Sequence, residues 1–403
     1  MNISLPAVCD QIHWLDALPK RATPLPVGQL YWPSWEQYEA SFQDLFDRQY
    51  YTNHGPLLQQ LELKLAERLQ VKHAICVSNA TIGLVMAAEA LCLKGKVIVP
   101  SFTFIATVQS LTWAGLEPVF CDVDPITHQL SPSMIEQLIS SDVSAILGVN
   151  LWGGSCNPVE IEALAHRYGI PVYFDSAHAM ACEINGIPIG SFGALEVFSF
   201  HATKVLSAGE GGCITTNSDE LAAKLRNIRS SYGAGPAVHV VKTSNGRMSE
   251  AHAALALMNL EQLPVVIEKN KEIFKSYECG LSGIPGIQLI YPCNVSYTNY
   301  QYIVCRLSEE DFGLSRDQLV AILVSRNIIA RRYFTPGAHR STPYVEQLPQ
   351  FVDALPITDM LNKQILQLPI GSLVSINDVG MICDLIRSIQ KMSKFDSVIK
   401  EKK

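Results

Sequence analysis

The chain has no Cys-x-x-Cys pair, no cysteine and histidine set at zinc spacing, and no run of about eighteen apolar residues. These absences exclude a zinc-stapled module and a membrane-spanning helix. The eleven cysteines are scattered from Cys9 to Cys383, several of them within apolar runs, as at Cys76, Cys92 and Cys121, and are expected to be reduced core residues. Charge is scarce at 17% of residues, and 31 Lys and Arg against 38 Asp and Glu leave a net charge of −7. No basic cluster dense enough for a nucleic-acid groove occurs, so nucleic acid is not an expected partner. An anionic ligand would have to be met by local groups, either amides at helix starts or a few arginines. The opening stretch MNISLPAVCDQIHWLDALPKR lacks a basic segment followed by an apolar one. A cytoplasmic protein without a membrane partner is therefore expected. Internal repeats and low-complexity tracts are also missing.

What is present is 403 residues with 48% hydrophobic content, the composition of a compact globular protein large enough for two domains. From about residue 57, helical segments alternate with short apolar runs, the pattern of a mainly parallel sheet flanked by helices. Leu58, Leu61, Leu65 and Leu69 share one helical face. The runs HAICVS (73–78), KVIVP (96–100), PVFCDV (118–123), SAILGVN (144–150), PVYFD (171–175) and LEVFSF (195–200) read as buried strands. Asn157-Pro158-Val159-Glu160 places a cap, an N1 proline and an N3 glutamate in order, and Asn217 with Glu220 predicts a second cap. A helix over roughly 249–260 should end before Pro264, and the strand TNYQYIVCRL (298–307) follows in a different pattern. This predicts an N-terminal extension over 1–40, a large domain over 41–262, and a smaller α/β domain over 263–403. The last domain should end in a helix near 378–392 and a frayed basic tail.

Chemistry concentrates in SFHATKVLSAGEGG, 199–212, where Lys204 falls just past the end of an apolar strand. Open α/β sheets hold their ligands at such ends. A lysine desolvated there favours the neutral amine, the form that attacks an aldehyde to make a Schiff base. Asp175 ends the earlier strand PVYFD and is followed by Ser176, Ala177 and His178, which leave room for a flat ring. Pyridoxal phosphate acts as an electron sink while its ring nitrogen stays protonated, and a carboxylate beside that nitrogen keeps it so. Asn79-Ala80-Thr81 lies between a strand and a helix, where free amides suit a phosphate, and Ser199 could add a hydroxyl. Phe104 in PSFTF could lay its ring on the cofactor.

With these residues in order, the chain resembles the DegT/DnrJ/EryC1/StrS family of sugar aminotransferases over roughly residues 50–390. The landmarks are YTNHGPLLQQLE, the 79–81 turn, VPSFTFIAT, FDSAHA, SFHATK with EGG after it, and SNGRMSEAHAALAL. The resemblance implies a fold-type I pyridoxal-phosphate transferase of the aspartate aminotransferase-like kind. Its large domain would be a three-layer α/β unit around a mostly parallel mixed sheet. By the same resemblance Lys204 carries the cofactor, Asp175 pairs with the ring nitrogen, and His178 lies beside the ring hydroxyl. Ala80, Thr81 and Ser199 hold the phosphate, and Phe104 covers the ring. A homodimer with shared sites is implied, in which Asn245 or Arg247 reaches the partner's phosphate site. Gly246 stands where the family carries tyrosine, and Phe174 where an acid is common.

The expected reaction moves an amino group from an amino acid, L-glutamate first, to a keto-sugar. The acceptor is expected to be a nucleotide-linked 4-keto- or 3-keto-6-deoxyhexose. A cyclitol, an aminoshikimate-type ring or another natural-product ketone remains open as acceptor, and a catalytically silent scaffold remains open as a different class. His54 could line the substrate pocket. Arg331, Arg332 and Tyr333 could bind substrate phosphates or form a solvated edge. No metal site is expected.

Overall fold

The computed structural model describes residues 14–28, 31–230, 236, 238–240 and 242–401. The expectations on residues 1–13 and on the final two residues of the tail lie outside them. In chain order the principal elements begin with helices α1 (Trp35–Arg48) and α2 (Pro56–Arg68). There follow β1 (His73–Val77), α3 (Ala80–Ala90), β2 (Lys96–Pro100), α4 (Ile105–Trp113), β3 (Glu117–Cys121) and β4 (Val143–Val149). Next come α5 (Pro158–Tyr168), β5 (Val172–Asp175), β6 (Leu195–Ser199), β7 (Gly212–Thr216) and α6 (Asp219–Arg229). The remainder holds α7 (Glu250–Leu281), β8 (Ile287–Leu289), β9 (Ile303–Leu307), α8 (Arg316–Ser325), β10 (Ile365–Leu368) and α9 (Ile376–Glu401).

Seven strands form one sheet in the order β1-β7-β6-β5-β4-β2-β3, in which only β7 runs against the rest. Its strands are apolar without alternation because both faces are covered. On one face lie Leu58, Leu61 and Leu65 of α2 and its C-cap Leu69, with Leu260, Leu263 and Ile267 of α7. On the other face α3, α4 and α6 pack through Leu84, Met86, Val108 and Leu225, and α5 covers Ile146 and Phe174 with Ile161 and Leu164. A second, antiparallel sheet of β8-β9-β10 packs against α8, α9 and the far end of α7. Leu15, Leu18 and Leu25 of the N-terminal segment belong to that second core.

Local expectations meet five corrections. Helix α7 does not stop at Pro264 but runs through it, so residue 263 lies within a 32-residue helix. Pro264 sits on the solvent side while Leu263, Val266 and Ile267 are buried, and this packing offsets about 3 kcal/mol of proline penalty. The cap of α6 is Ser218, which accepts from Leu221 N, whereas Asn217 Oδ1 accepts from Lys72 N at 3.0 Å. Asn157 does precede α5, but in a left-handed conformation without a side-chain cap bond. The strand at 298–307 is reduced to 303–307, because Tyr300 at φ 49° cannot continue an extended chain. Every described cysteine is free, and Cys92 is exposed because it follows the C-cap of α3 at φ 55°, off the buried face.

Among the described residues no helix is long and apolar enough to cross a membrane, and no group of three or more His, Cys, Asp and Glu could hold a metal ion.

One glycine fixes how the first turn of α3 meets the sheet. A Cβ on Gly212 would lie 2.7 Å from Phe198 O and 2.9 Å from Ala80 N. Gly212→Ala should therefore lower the unfolding free energy by about 2 kcal/mol through overpacking. A urea titration giving the same midpoint as the parent chain would contradict that contact.

Candidate active site

A cavity of about 350 Å³ opens at the carboxyl ends of the parallel strands, where the two sheets face each other. Its floor comes from neighbouring strands. β5 and β6 pair in parallel with Asp175 opposite Val197, so the loops that follow them, carrying Asp175 to His178 and Ser199 to Lys204, emerge side by side.

Asp175 is buried, and two donors face it: Thr107 Oγ1 at 2.8 Å from Oδ2, and Ala177 N at 3.1 Å from Oδ1. Burial pushes its carboxyl pKa up, while those two hydrogen bonds and the Lys204 charge pull it down. Thr107 is held in turn by Thr103 at 3.0 Å, one helical turn earlier. The loop after Asp175 is pinned from below, since Ser176 Oγ donates to the buried Glu196 and accepts from Asn150 Nδ2 at 2.9 Å. His178 is buried, and burial first and the Lys204 charge second hold its imidazole well below the usual histidine range, so it is neutral. Its ring stacks on Trp152 at 5.5 Å, and its Nδ1 is buried with no hydrogen-bond partner.

Lys204 lies in the turn after β6, its backbone N bonded to His201 O at 2.8 Å. Burial lowers its amine to about 8 against the opposing influence of Tyr333 and Asp175. The Nζ meets the Tyr302 hydroxyl at 3.0 Å.

Asn79 caps α3 by accepting from Ile82 N at 2.9 Å. This leaves the amides of Ala80 and Thr81, which have no acceptor within their own helix, at the edge of the cavity. Ser199 also lines it, as does Phe104, which is 58% exposed.

Arg331, Tyr333 and Phe334 form the opposite wall. Arg332 does not line this cavity and pairs with Asp317 at 3.6 Å. Nor does His54, whose Nε2 is 3.0 Å from Glu62, itself paired with Arg229. Asn245 and Arg247 lie outside the cavity of their own chain and bond to each other at 3.0 Å.

Three residues of this constellation carried no signal in the sequence: Tyr302, Trp152 and Phe334 come from distant segments and read as apolar filler. Thr107 had a faint one, its four-residue spacing from Thr103 across the start of a helix. In the cofactor-free chain the buried amine should be a liability. Lys204→Met should stabilise it near pH 7 by about 2 kcal/mol, the depressed pKa being worth about 3 less about 1 for the Tyr302 hydroxyl losing its partner. Below pH 8 both states of the parent are protonated and the difference is full, and it fades as pH rises from about 8 towards the unfolded value of 10.5. Thermal unfolding across pH 7 to 10.5 checks both sign and slope.

Residues 35–387 match the model of the DegT/DnrJ/EryC1/StrS aminotransferase family. A dTDP-4-amino-4,6-dideoxy-D-glucose transaminase of Shigella dysenteriae is 35% identical over 368 residues, covering 91% of this chain and 99% of its own. A GDP-perosamine synthase of Vibrio cholerae is 29% identical over 364 residues, 89% of this chain and 98% of its own. Among solved structures, DesI in the presence of its TDP-sugar product superposes with a TM-score of 0.89 at 34% identity, covering 96% of this chain and 98% of that one.

Proposed function

Because this chain belongs to the DegT/DnrJ/EryC1/StrS aminotransferase family and is a fold-type I, pyridoxal-phosphate-dependent aminotransferase, we propose that it aminates a nucleotide-linked 4-keto-6-deoxyhexose with L-glutamate as donor, using Lys204 as its reactive amine. The acceptor class is supported by the Shigella dysenteriae relative, which is named for a dTDP-4-amino-4,6-dideoxy sugar, and by the Vibrio cholerae relative, which is named for a GDP-linked product. The site assignment rests on one observation: a partly buried lysine amine, lowered to about 8 by desolvation, at the strand ends beside a buried carboxylate.

Three features fit pyridoxal phosphate. Asp175 presents an acceptor-only carboxylate whose raised pKa would fall again beside a cationic ring nitrogen. His178 has an orphaned Nδ1 able to meet a ring hydroxyl. Ala80, Thr81 and Ser199 offer amides and hydroxyls without a basic side chain, the donor set of a helix-start phosphate site. Phe104 would cover the ring.

When bound, the cofactor supplies a conjugated ring that withdraws the electrons left behind when a neighbouring carbon loses its proton. The chain's own residues do the rest. Asp175 holds the proton on the ring nitrogen. Lys204 Nζ, neutral at modestly alkaline pH, takes the proton from the donor's α-carbon in the first half-reaction. In the second it delivers one to the sugar carbon that gains the nitrogen. Arg331 and Tyr333 face the substrate side, where a guanidinium can grip the donor carboxylate or the sugar diphosphate in bidentate fashion. Arg332, held by Asp317, and His54, held by Glu62, would be supporting residues.

We place the enzyme in the cytoplasm as a homodimer in which Asn245 or Arg247, outside the cavity of their own chain, complete the phosphate site of the partner. Free thiols in all described cysteines suit a reducing compartment.

Borohydride reduction of the cofactor-loaded protein should tag the peptide carrying Lys204, and a tag elsewhere would refute the assignment. Asp175→Asn should lower amino transfer by about a hundredfold or more, read as loss of pyridoxamine absorbance on adding a keto-sugar nucleotide. Mixed and refolded, the inactive variants Lys204→Ala and Arg247→Ala should recover roughly one quarter of parental sites if sites are shared across the dimer. Recovery of none would place each site within one chain.

A further inference from the structure

Three residues at the entry to β9, Asn299, Gln301 and Tyr302, reach across from the second sheet to both reactive loops of the first. Asn299 Nδ2 donates to His178 O at 3.0 Å and to Met180 O at 2.9 Å, and its Oδ1 accepts from Gln301 N at 2.9 Å. Gln301 Oε1 accepts from Val205 N at 2.8 Å, fixing the backbone next to Lys204. Tyr302 meets the tip of the same lysine, its hydroxyl 3.0 Å from Nζ. One residue thus holds the loop of His178, the next but one holds the lysine's backbone, and the last holds its amine.

The Tyr302 ring is 5% exposed and wedged among aromatics: edge-on to Trp152 at 5.6 Å, tilted on His178 at 4.5 Å and edge-on to Tyr333 at 6.5 Å. Burial pushes its phenol pKa far up, so the hydroxyl keeps its proton and can donate to a neutral amine or accept from a charged one. The charged and titratable groups around the amine are Asp175, His178 and Tyr333, with Arg331 acting on the two tyrosines.

We propose that Tyr302 is the positioning residue for Lys204: its hydroxyl holds the amine at a fixed place in the cavity whenever the amine is free, between the steps in which it reacts. This rests on the reading of Lys204 as the reactive amine. A lysine has four rotatable bonds, and an amine that must take a proton from one face of a substrate carbon loses on the order of a hundredfold in rate for a displacement of about 1 Å. The chain itself supplies the restraint, from a residue that does not line the cavity.

The test is Tyr302→Phe in the full-length chain, which removes one oxygen and leaves the aromatic wedge. In the cofactor-free protein, competitive acetylation over pH 6 to 11 is read by mass on the Lys204 peptide, with the exposed Lys72 as control. Lys204 should react roughly threefold faster or more at equal pH while Lys72 is unchanged. Superimposable Lys204 curves overturn the proposal. In the loaded enzyme the donor half-reaction should lose about tenfold or more in kcat with KM for the donor within about twofold. A raised KM at parental kcat overturns it as well. Tyr302→Met carries the same expectation if the phenylalanine variant does not fold. Because acetylation is measured without cofactor, its result is independent of the borohydride tag: an untagged Lys204 defeats the site assignment, and an unmoved acetylation curve defeats only the role of Tyr302.

Discussion

Desolvation of a single amine organises this molecule. An ammonium drawn out of water is disfavoured, so Lys204 shifts towards its neutral form, and its neighbours suit that shift. Asp175 can be buried because Thr107 and the Ala177 amide donate to it. His178 is neutral because burial and the lysine both oppose a second positive charge. The aromatic wall of Trp152, Tyr302, Tyr333 and Phe334 keeps water away while offering hydroxyls at chosen points.

The sheet order makes this possible. β5 and β6 are adjacent and parallel, so the acid and the lysine leave the sheet at the same edge from neighbouring strands. β7 returns antiparallel beside β6 and brings Gly212 under the first turn of α3, letting bare amides approach the same edge. The amide cradle is therefore held by backbone geometry, while the side chains of Thr107 and Tyr302 fix the acid and the amine, an arrangement that keeps donors oriented through a reaction.

A net charge of −7 would repel a diphosphate sugar at long range, yet the cavity is lined by helix-start amides and Arg331, groups suited to an anion at short range. Short-range groups outweigh a screened global field. Asn245 and Arg247 sit outside their own cavity and bond to each other; in the proposed dimer they would complete the partner's phosphate site.

The strand ends were legible in the sequence because unbroken apolar runs mark buried parallel strands, and Asp175 and Ser199 end such runs while Ala80, Thr81 and Lys204 follow within a few residues. Family resemblance added the cofactor, since composition alone cannot name a ligand. Helix α7 crossing Pro264 was not legible, because burial on the opposite face decides it and a local rule sees only the proline. Neither was the engagement of Arg332 with Asp317, or of His54 with Glu62, which depends on what folding brings opposite them. The sequence by itself determined which residues stand at strand ends, because where each strand begins and stops is written in local hydrophobicity. Tertiary structure alone decided that Tyr302, 98 residues beyond Lys204, lies against its amine, because a contact across two sheets has no local pattern to announce it.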